Sequence, residues 1–285
     1  MKKVLLFGAS GNLGKEIAKE LKQQDYEFTV VVRNKNKADE LSNITNQYLI
    51  ADVTNQHSLT GLCKGFDIII SSLGKSVSLN DKSKPGFRDI DFLANANILQ
   101  EAIKSGVVKF VYISAFHSEK YLHLEYFKTH HDFSEKLKQS EIDYSIIKPP
   151  AIFSAFVDLI QLAKKGHLMN IGKGDKRTNP IFEGDLAIVC VNSIMETNKI
   201  IEAGGKNIYT RKQLNEIIQH IVNPHKKIKH VPIGIINFFL PLMKLINKNT
   251  FDKFAFFIEV MQHDVIAAEI GEMKFEDYIK MKMHR

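Results

Sequence analysis

An apolar run, Val4-Leu5-Leu6-Phe7, leads into Gly8-Ala9-Ser10-Gly11-Asn12-Leu13-Gly14, three glycines at three-residue spacing, and then into an amphipathic stretch from Lys15 to Lys22. A strand that turns through glycines into a helix constrains the chain strongly. The first glycine permits the tight turn, the second lets backbone N–H groups approach a pyrophosphate, and the third lets helix and strand pack closely. The positive end of the helix then faces the anion. Gly8, Ser10, Gly11, Asn12, Leu13 and Gly14 are therefore candidate dinucleotide contacts, against the plainer reading of a βα turn whose glycines serve packing alone.

The pattern continues as a doubly wound parallel sheet requires, with strands alternating with helices. Strands are expected at Lys3–Phe7, Phe28–Val32, Gln47–Ile50, Asp67–Ser71, Lys109–Ser114 and Tyr144–Lys148, and helices at Lys15–Gln24, Ser58–Cys63, Phe87–Ser105 and Phe127–Ser140. After Pro149-Pro150 the pattern is less regular: Gly166–Pro180 reads as a polar loop, Gly184–Met195 as a helix and Asn207–Thr210 as a last strand. The 285 residues suit an α/β fold of Rossmann type with a smaller, mainly helical C-terminal substrate region. The expected division is 1–150 as the NAD(P)-binding core and 151–285 as the substrate-binding region, with 181–222 returning to the core.

Crossovers place the strand C-termini along one crevice, so ligand-facing groups belong at strand ends. A ribose reader about 20 residues past the glycine turn is normally acidic; this chain offers Arg33 after the second strand. A guanidinium forks onto a 2′-phosphate, and Lys35 and Lys37 add positive potential, which favours NADP over NAD. The competing reading is a solvated basic loop. Asp52, with Val53 beside it, is placed either to accept from the adenine amino group or to cap the next turn. Ser71, Ser72 and Leu73 precede Gly74 where backbone must approach the cofactor.

In this order the glycine turn, Asp52-Val53-Thr54, Phe110-Val111-Tyr112-Ile113-Ser114 and Asp143-Tyr144-Ser145-Ile146-Ile147-Lys148-Pro149 resemble the short-chain dehydrogenase/reductase superfamily, in its extended or atypical branch with NmrA-like members. Leu124-Glu125-Tyr126, Ile171-Gly172-Lys173-Gly174-Asp175, Asp185-Leu186-Ala187 and Val231-Pro232-Ile233-Gly234-Ile235 look like divinyl chlorophyllide 8-vinyl-reductase-like proteins, a family that reduces a vinyl group on a tetrapyrrole with a nicotinamide cofactor. The resemblance implies a Tyr-x-x-x-Lys pair, in which a lysine lowers the pKa of a proton-donating phenol and holds the nicotinamide ribose. Here Tyr126 is kept and His130 stands at the lysine position. A one-residue shift of register gives Phe127 and His131, followed by Glu135. Either histidine suits a ribose contact or a proton relay near neutral pH, the alternative being exposed histidines on a helix. Ser114 matches the superfamily's active-site serine, or else caps the turn after its strand. Lys148 falls where the superfamily often has Arg before proline, as a cofactor contact or as half of a salt bridge. Asp185 matches a position that links the substrate segment to the core, a structural role.

The net charge of +7 suits anionic ligands, but Lys and Arg are scattered among acidic residues, so nucleic-acid binding is not required. Cys63 and Cys190 lack metal-ligand spacing, which points to reduced thiols and a cytoplasmic setting without a metal. The N-terminus does not read as a signal peptide. The region 231–262 is strongly apolar, with Phe251, Phe254, Phe257, Ile258 and Met261 at helical spacing and Pro232 and Pro241 arguing against a membrane span. It reads as ordinary core, as a lid over a bulky apolar substrate, or as an interfacial helix making a peripheral membrane contact. Two functions fit: an NAD(P)H-dependent reductase of an apolar small-molecule substrate, or a non-catalytic NAD(P)-binding redox sensor or assembly factor.

Overall fold

The structure, a computed structural model, describes residues 2–284, without the side chains at 237–239, 241, 242, 245 and 246. The expectation about Pro241 lies outside the described residues. Strands β1 (Lys3–Phe7), β2 (Glu27–Val32), β3 (Tyr48–Ile50), β4 (Ile68–Ser71), β5 (Lys109–Ile113) and β6 (Asp143–Lys148) pair in parallel in the order β3-β2-β1-β4-β5-β6. β1, β4 and β5 read as near-continuous apolar runs because both sheet faces are covered. Helices α1 (Asn12–Gln23), α2 (Lys35–Asp39), α3 (Asn95–Lys104) and α4 (Glu125–Lys138) lie in the crossovers. One face of the sheet packs Phe7, Ile69, Phe110 and Tyr112 against Ile98, Phe133 and Leu137 of α3 and α4.

The chain forms two compact units, one of residues 1–75, 85–148 and 186–201, the other of 76–84, 149–185 and 202–285. The second unit holds α5 (Val157–Lys164) and β7 (Met169–Ile171), then β8 (Arg177–Thr178); α6 (Glu183–Asn192) and β9 (Lys199–Gly204) each span the division. Beyond them come β10 (Tyr209–Thr210), α7 (Arg211–Val222), β11 (Lys229–Val231), α8 (Ile233–Ile246), α9 (Lys248–Gln262), β12 (Ala268–Glu269) and α10 (Phe275–Met283). Its core gathers Phe153, Phe156, Leu214, Ile218, Phe275 and Tyr278.

Several expectations are corrected. The helix at Ser58–Cys63 is only a 3₁₀ turn, Gln56–Leu59, because Thr60 leaves helical backbone (φ −58°, ψ 119°). The long helix Phe87–Ser105 divides into a π-helix, Arg88–Ala94, and α3. The strand following β6 in the sheet is β9, and β12 lies beyond it. Tyr209–Thr210 pairs instead with β8, antiparallel, in a separate ribbon. Gly166–Pro180 is not wholly loop, since β7 pairs in parallel with β11. Asp185 accepts from the backbone N–H groups of Glu272 and Met273 and so ties two stretches of the second unit.

Segment 76–84 is held by the second unit, though its flanks belong to the first. Lys253, on α9 and 4% exposed, donates to the carbonyls of Ser78 (2.7 Å) and Asp81 (2.9 Å). Asp158 on α5 accepts from Ser78 Oγ and Asn80 Nδ2, and Asn249 donates to the Lys84 carbonyl.

Candidate functional site: a nucleotide turn and a buried Tyr–His array

α1 starts three residues earlier than its amphipathic pattern indicates, with Gly11 as N-cap and no side-chain cap. Asn12, Leu13 and Gly14 thus form its first turn, whose N–H groups have no acceptor within a helix. Gly8 has φ +80°, and a Cβ there would meet Ser72 Oγ at 2.7 Å and the Leu73 nitrogen at 2.9 Å. A Cβ on Gly14 would lie 2.1 Å from the Gly8 carbonyl oxygen, whereas one on Gly11 would meet only that oxygen, at 3.3 Å. Gly8 and Gly14 therefore set the close approach of turn, helix and β4. Gly11 is constrained much less by the protein. The N–H groups at the positive end of a 12-residue helix, with Gly11 and Asn12 exposed, fit a pyrophosphate.

Arg33 is exposed directly after β2. Asn34 beside it caps α2 through the Lys37 N–H. Lys37 is paired with Glu40 at 2.6 Å, so it adds less free positive potential than the sequence suggests. Asp52 Oδ1 accepts from both the hydroxyl (2.7 Å) and the N–H (3.0 Å) of Thr54. The Thr54 side-chain hydrogen bond, then its backbone one, hold this carboxyl below the usual carboxylate range, with Arg33 adding to the effect. One Asp52 oxygen is thus engaged in its own turn, and Val53 accepts through its carbonyl from Asn97.

At the end of β4 the hydroxyls point inward. Ser71 donates to Asn95 Oδ1 (2.6 Å) and Ser72 to the Phe7 carbonyl (3.0 Å), while Leu73 packs on the core. What this segment offers a ligand is backbone. Asn95 also donates to the carbonyls of Ile90 and Asp91, both in the π-helical turn. Such turns are rare and concentrate at functional sites. This one holds Asp91, 0% exposed, with Oδ1 accepting the Lys75 N–H at 2.8 Å.

α4 brings Tyr126 and His130 together one turn apart, their rings 4.8 Å between centroids and edge to face. His130 is buried and its Nδ1 lies 2.7 Å from the hydroxyl of Tyr112 on β5. Burial pushes its pKa down to about 3, so the imidazole is neutral at physiological pH. That corrects the expectation of a histidine relay titrating near neutrality. Tyr126 is half-buried, and burial followed by the charge of Asp91 raises its phenol well above the ordinary value. His131 is half-buried on the same helix. Ser114, 4% exposed, shares a hydrogen bond with Ser134 (3.1 Å), which itself donates to the His130 carbonyl. Lys148 pairs with Glu119 at 2.9 Å, the salt-bridge alternative.

Sequence reasoning passed over Asp91, Asn95 and Lys75. A signal for the first two exists: they share helical spacing with the buried Ile98 and Ala102, which places polar groups on a core-facing stripe.

Residues 8–196 match the model of a family described as NAD(P)H-binding. The chain belongs to that NAD(P)H-binding family. Among its relatives is the chloroplastic divinyl chlorophyllide a 8-vinyl-reductase of Arabidopsis thaliana, 28% identical over 269 residues, with 86% of this chain and 63% of that protein covered. The chain therefore spans under two thirds of that relative's length. The photosystem II assembly factor Ycf39 of Guillardia theta is 24% identical over 242 residues, covering 83% of this chain and 75% of that one. The NADPH complex of the NADPH-dependent quinone oxidoreductase QOR2 from Escherichia coli shares the fold at TM-score 0.74, with 17% identity over 98% of this chain and 99% of that one. The likeness to that solved structure is one of fold. No helix among the described residues is long and apolar enough to cross a membrane.

Proposed function

We propose that this NAD(P)H-binding protein is an NADPH-dependent reductase of an apolar, conjugated substrate. The observation that carries the reading is the conjunction, in one unit, of an open glycine turn and a tyrosine on α4 packed against His130. When bound, the nicotinamide supplies a hydride. The chain's own residues divide the remaining work. The first turn of α1 holds the pyrophosphate through N–H groups, and Arg33 engages a 2′-phosphate, which favours NADP over NAD. The backbone at 71–74 supports the cofactor, while Asn95, Ser71 and the π-helix fix the wall behind it. Tyr126 supplies the proton that completes reduction, and Ser114 orients a substrate oxygen. His130 acts as a neutral hydrogen-bonding group that fixes Tyr112 and packs on Tyr126. Reduction of a vinyl group or an enone suits this site, because the proton goes to carbon after hydride addition and no alcohol need be deprotonated.

A second reading rests on the same array. With no lysine at position 130 and phenols raised by burial, the protein also fits a dinucleotide-binding assembly factor, as the relative named for photosystem II assembly suggests. The apolar region 231–262 serves as a partner or membrane-surface contact in this second reading. The deciding experiment is NADPH binding by calorimetry followed by an NADPH-oxidation assay against quinones, enones and divinyl tetrapyrroles. Substrate-dependent oxidation that Tyr126→Phe slows supports the reductase. Tight NADPH binding with no oxidation across the panel supports the assembly factor.

A further inference from the structure

The acidic residues are unevenly spread along the chain. Residues 159–174 and 217–251 contain no Asp, Glu or Arg but hold eight lysines, one more than the chain's whole net charge of +7, so the remainder is close to neutral. The second unit joins the two stretches. β7 and β11 pair in parallel, with Met169 opposite Lys229 and Ile171 opposite Val231. Asn223, after α7, donates to the Ala163 carbonyl near the end of α5, and a Cβ on Gly166 would meet the Lys226 side chain at 3.4 Å. Lys164, Lys165, Lys226, Lys227 and Lys229 are thereby gathered in one region. All five are exposed, and among the described residues none of them has an ion pair.

Apolar surface lies beside this charge. Residues in register across a ladder turn their side chains to the same face, so Met169, 43% exposed, stands next to Lys229. Asn170, on the opposite face, bonds to Asn215 of α7. α8 begins two residues after β11 and carries one charged residue, Lys244, among its 14. Ile233 at its start adjoins Gly172, where a Cβ would meet it at 3.7 Å, and Ile235 is 53% exposed.

We propose that this region is a docking surface for an anionic lipid bilayer, with the lysines on headgroup phosphates and Ile235 at the boundary with the acyl chains. Unpaired lysines beside exposed apolar side chains match such a surface in both respects. A nucleic acid would answer the charge and leave Met169 and Ile235 in water, and an apolar protein face would leave the lysines uncompensated. The inference gives the membrane-surface contact of the second reading a lipid class and a place, and rests on that reading for its functional meaning.

Vesicle flotation of the whole protein tests it. The protein should bind phosphatidylcholine vesicles that contain phosphatidylglycerol and not vesicles of phosphatidylcholine alone, and added salt should release it because the attraction is screened. Replacing Lys226, Lys227 and Lys229 together by alanine should weaken binding about 100-fold, roughly five-fold for each lysine, with NADPH affinity unchanged as the sign that the protein is intact. Lys164→Ala with Lys165→Ala, expected to cost about 25-fold, serves if the triple variant does not fold. Ile235→Ser should weaken binding and leave its salt dependence as it was. Equal binding to both kinds of vesicle, undiminished binding by both lysine variants, or tighter binding to a DNA duplex than to the anionic vesicles overturns the proposal. Lysine-dependent vesicle binding together with NADPH oxidation on the substrate panel leaves the docking surface standing and removes the assembly-factor reading; no vesicle binding and no oxidation removes the docking surface alone.

Discussion

The three glycines of the nucleotide turn separate into two physical kinds, and substituting alanine at two of them tells fold from ligand. At Gly14 a methyl group would stand 2.1 Å from the Gly8 oxygen and 2.7 Å from the Ala9 Cα, against about 3.5 Å for comfortable contact. Both obstacles are backbone, so neither can rotate away. Alanine gains about 1 kcal/mol in helix propensity over glycine, but overpacking of this kind costs about 3 kcal/mol, the upper end of its usual range. The net loss of about 2 kcal/mol corresponds to a Tm lower by roughly 4–8 °C in a chain of this size. At Gly11 the nearest atom is 3.3 Å away and the backbone is extended (φ −75°, ψ 168°), so Gly11→Ala should leave Tm within about 2 °C. The methyl would instead occupy the space needed by a pyrophosphate and weaken its charge-assisted hydrogen bonds, each worth about 1.5–3 kcal/mol. NADPH affinity should then fall by about 100-fold. Thermal unfolding of both variants, with calorimetric titration of NADPH into Gly11→Ala, gives the answer. A Gly11→Ala protein that binds NADPH as tightly as the unmodified one would falsify the assignment of the turn, and a Gly14→Ala protein with unchanged Tm would refute the packing argument.

Arg33→Ala should narrow the preference for NADPH over NADH by about 1.5–3 kcal/mol, read by titration with each cofactor; equal affinities in the unmodified protein remove the 2′-phosphate assignment. Tyr126→Phe should slow reduction of an accepted substrate about 100-fold with little change in NADPH affinity, and an equal loss in both would make the residue a binding group instead. His130 has a folded pKa of about 3 against about 6.5 when unfolded, so between these values the unfolded chain binds the extra proton. Its contribution is intact above pH 6.5 and declines as pH falls toward 3, by at most about 1.4 kcal/mol per unit. Urea unfolding of His130→Gln should show a shallower acid slope than the unmodified protein; identical slopes would mean that His130 is not the buried neutral group described.

The sheet was legible because its strands carry unmixed apolar runs, and β1 begins and ends where its pattern says. Arg88–Ala94 was not, because a π-helix and an α-helix share nearly the same apolar spacing and differ in which backbone carbonyl each N–H reaches. β9 escaped notice since Lys199, Glu202 and Gly204 interrupt its run, while Asn207–Thr210 has the better strand composition and the wrong partner. At the site, residue type announced the glycine turn and the substitution at position 130. It did not reveal that His130 would be sealed against Tyr112, since burial depends on two elements packing together and changes a near-neutral histidine into one that stays uncharged.

Segment 76–84 has a consequence for the order in which the chain acquires its structure. During synthesis it leaves the ribosome well before α5 and α9, the helices that supply Asp158, Asn249 and Lys253. Until those arrive, the first six strands can be complete while this stretch lacks the donors and acceptors that α5 and α9 supply. The dependence also runs the other way. A fragment beginning at residue 149 would contain α9 but not the Ser78 and Asp81 carbonyls to which the nearly sealed Lys253 ammonium donates. Dividing this protein into halves for separate expression therefore fails at a point that linear domain boundaries would not indicate, and a second half fused to a tethered copy of 76–84 should be recovered in better yield than one without it.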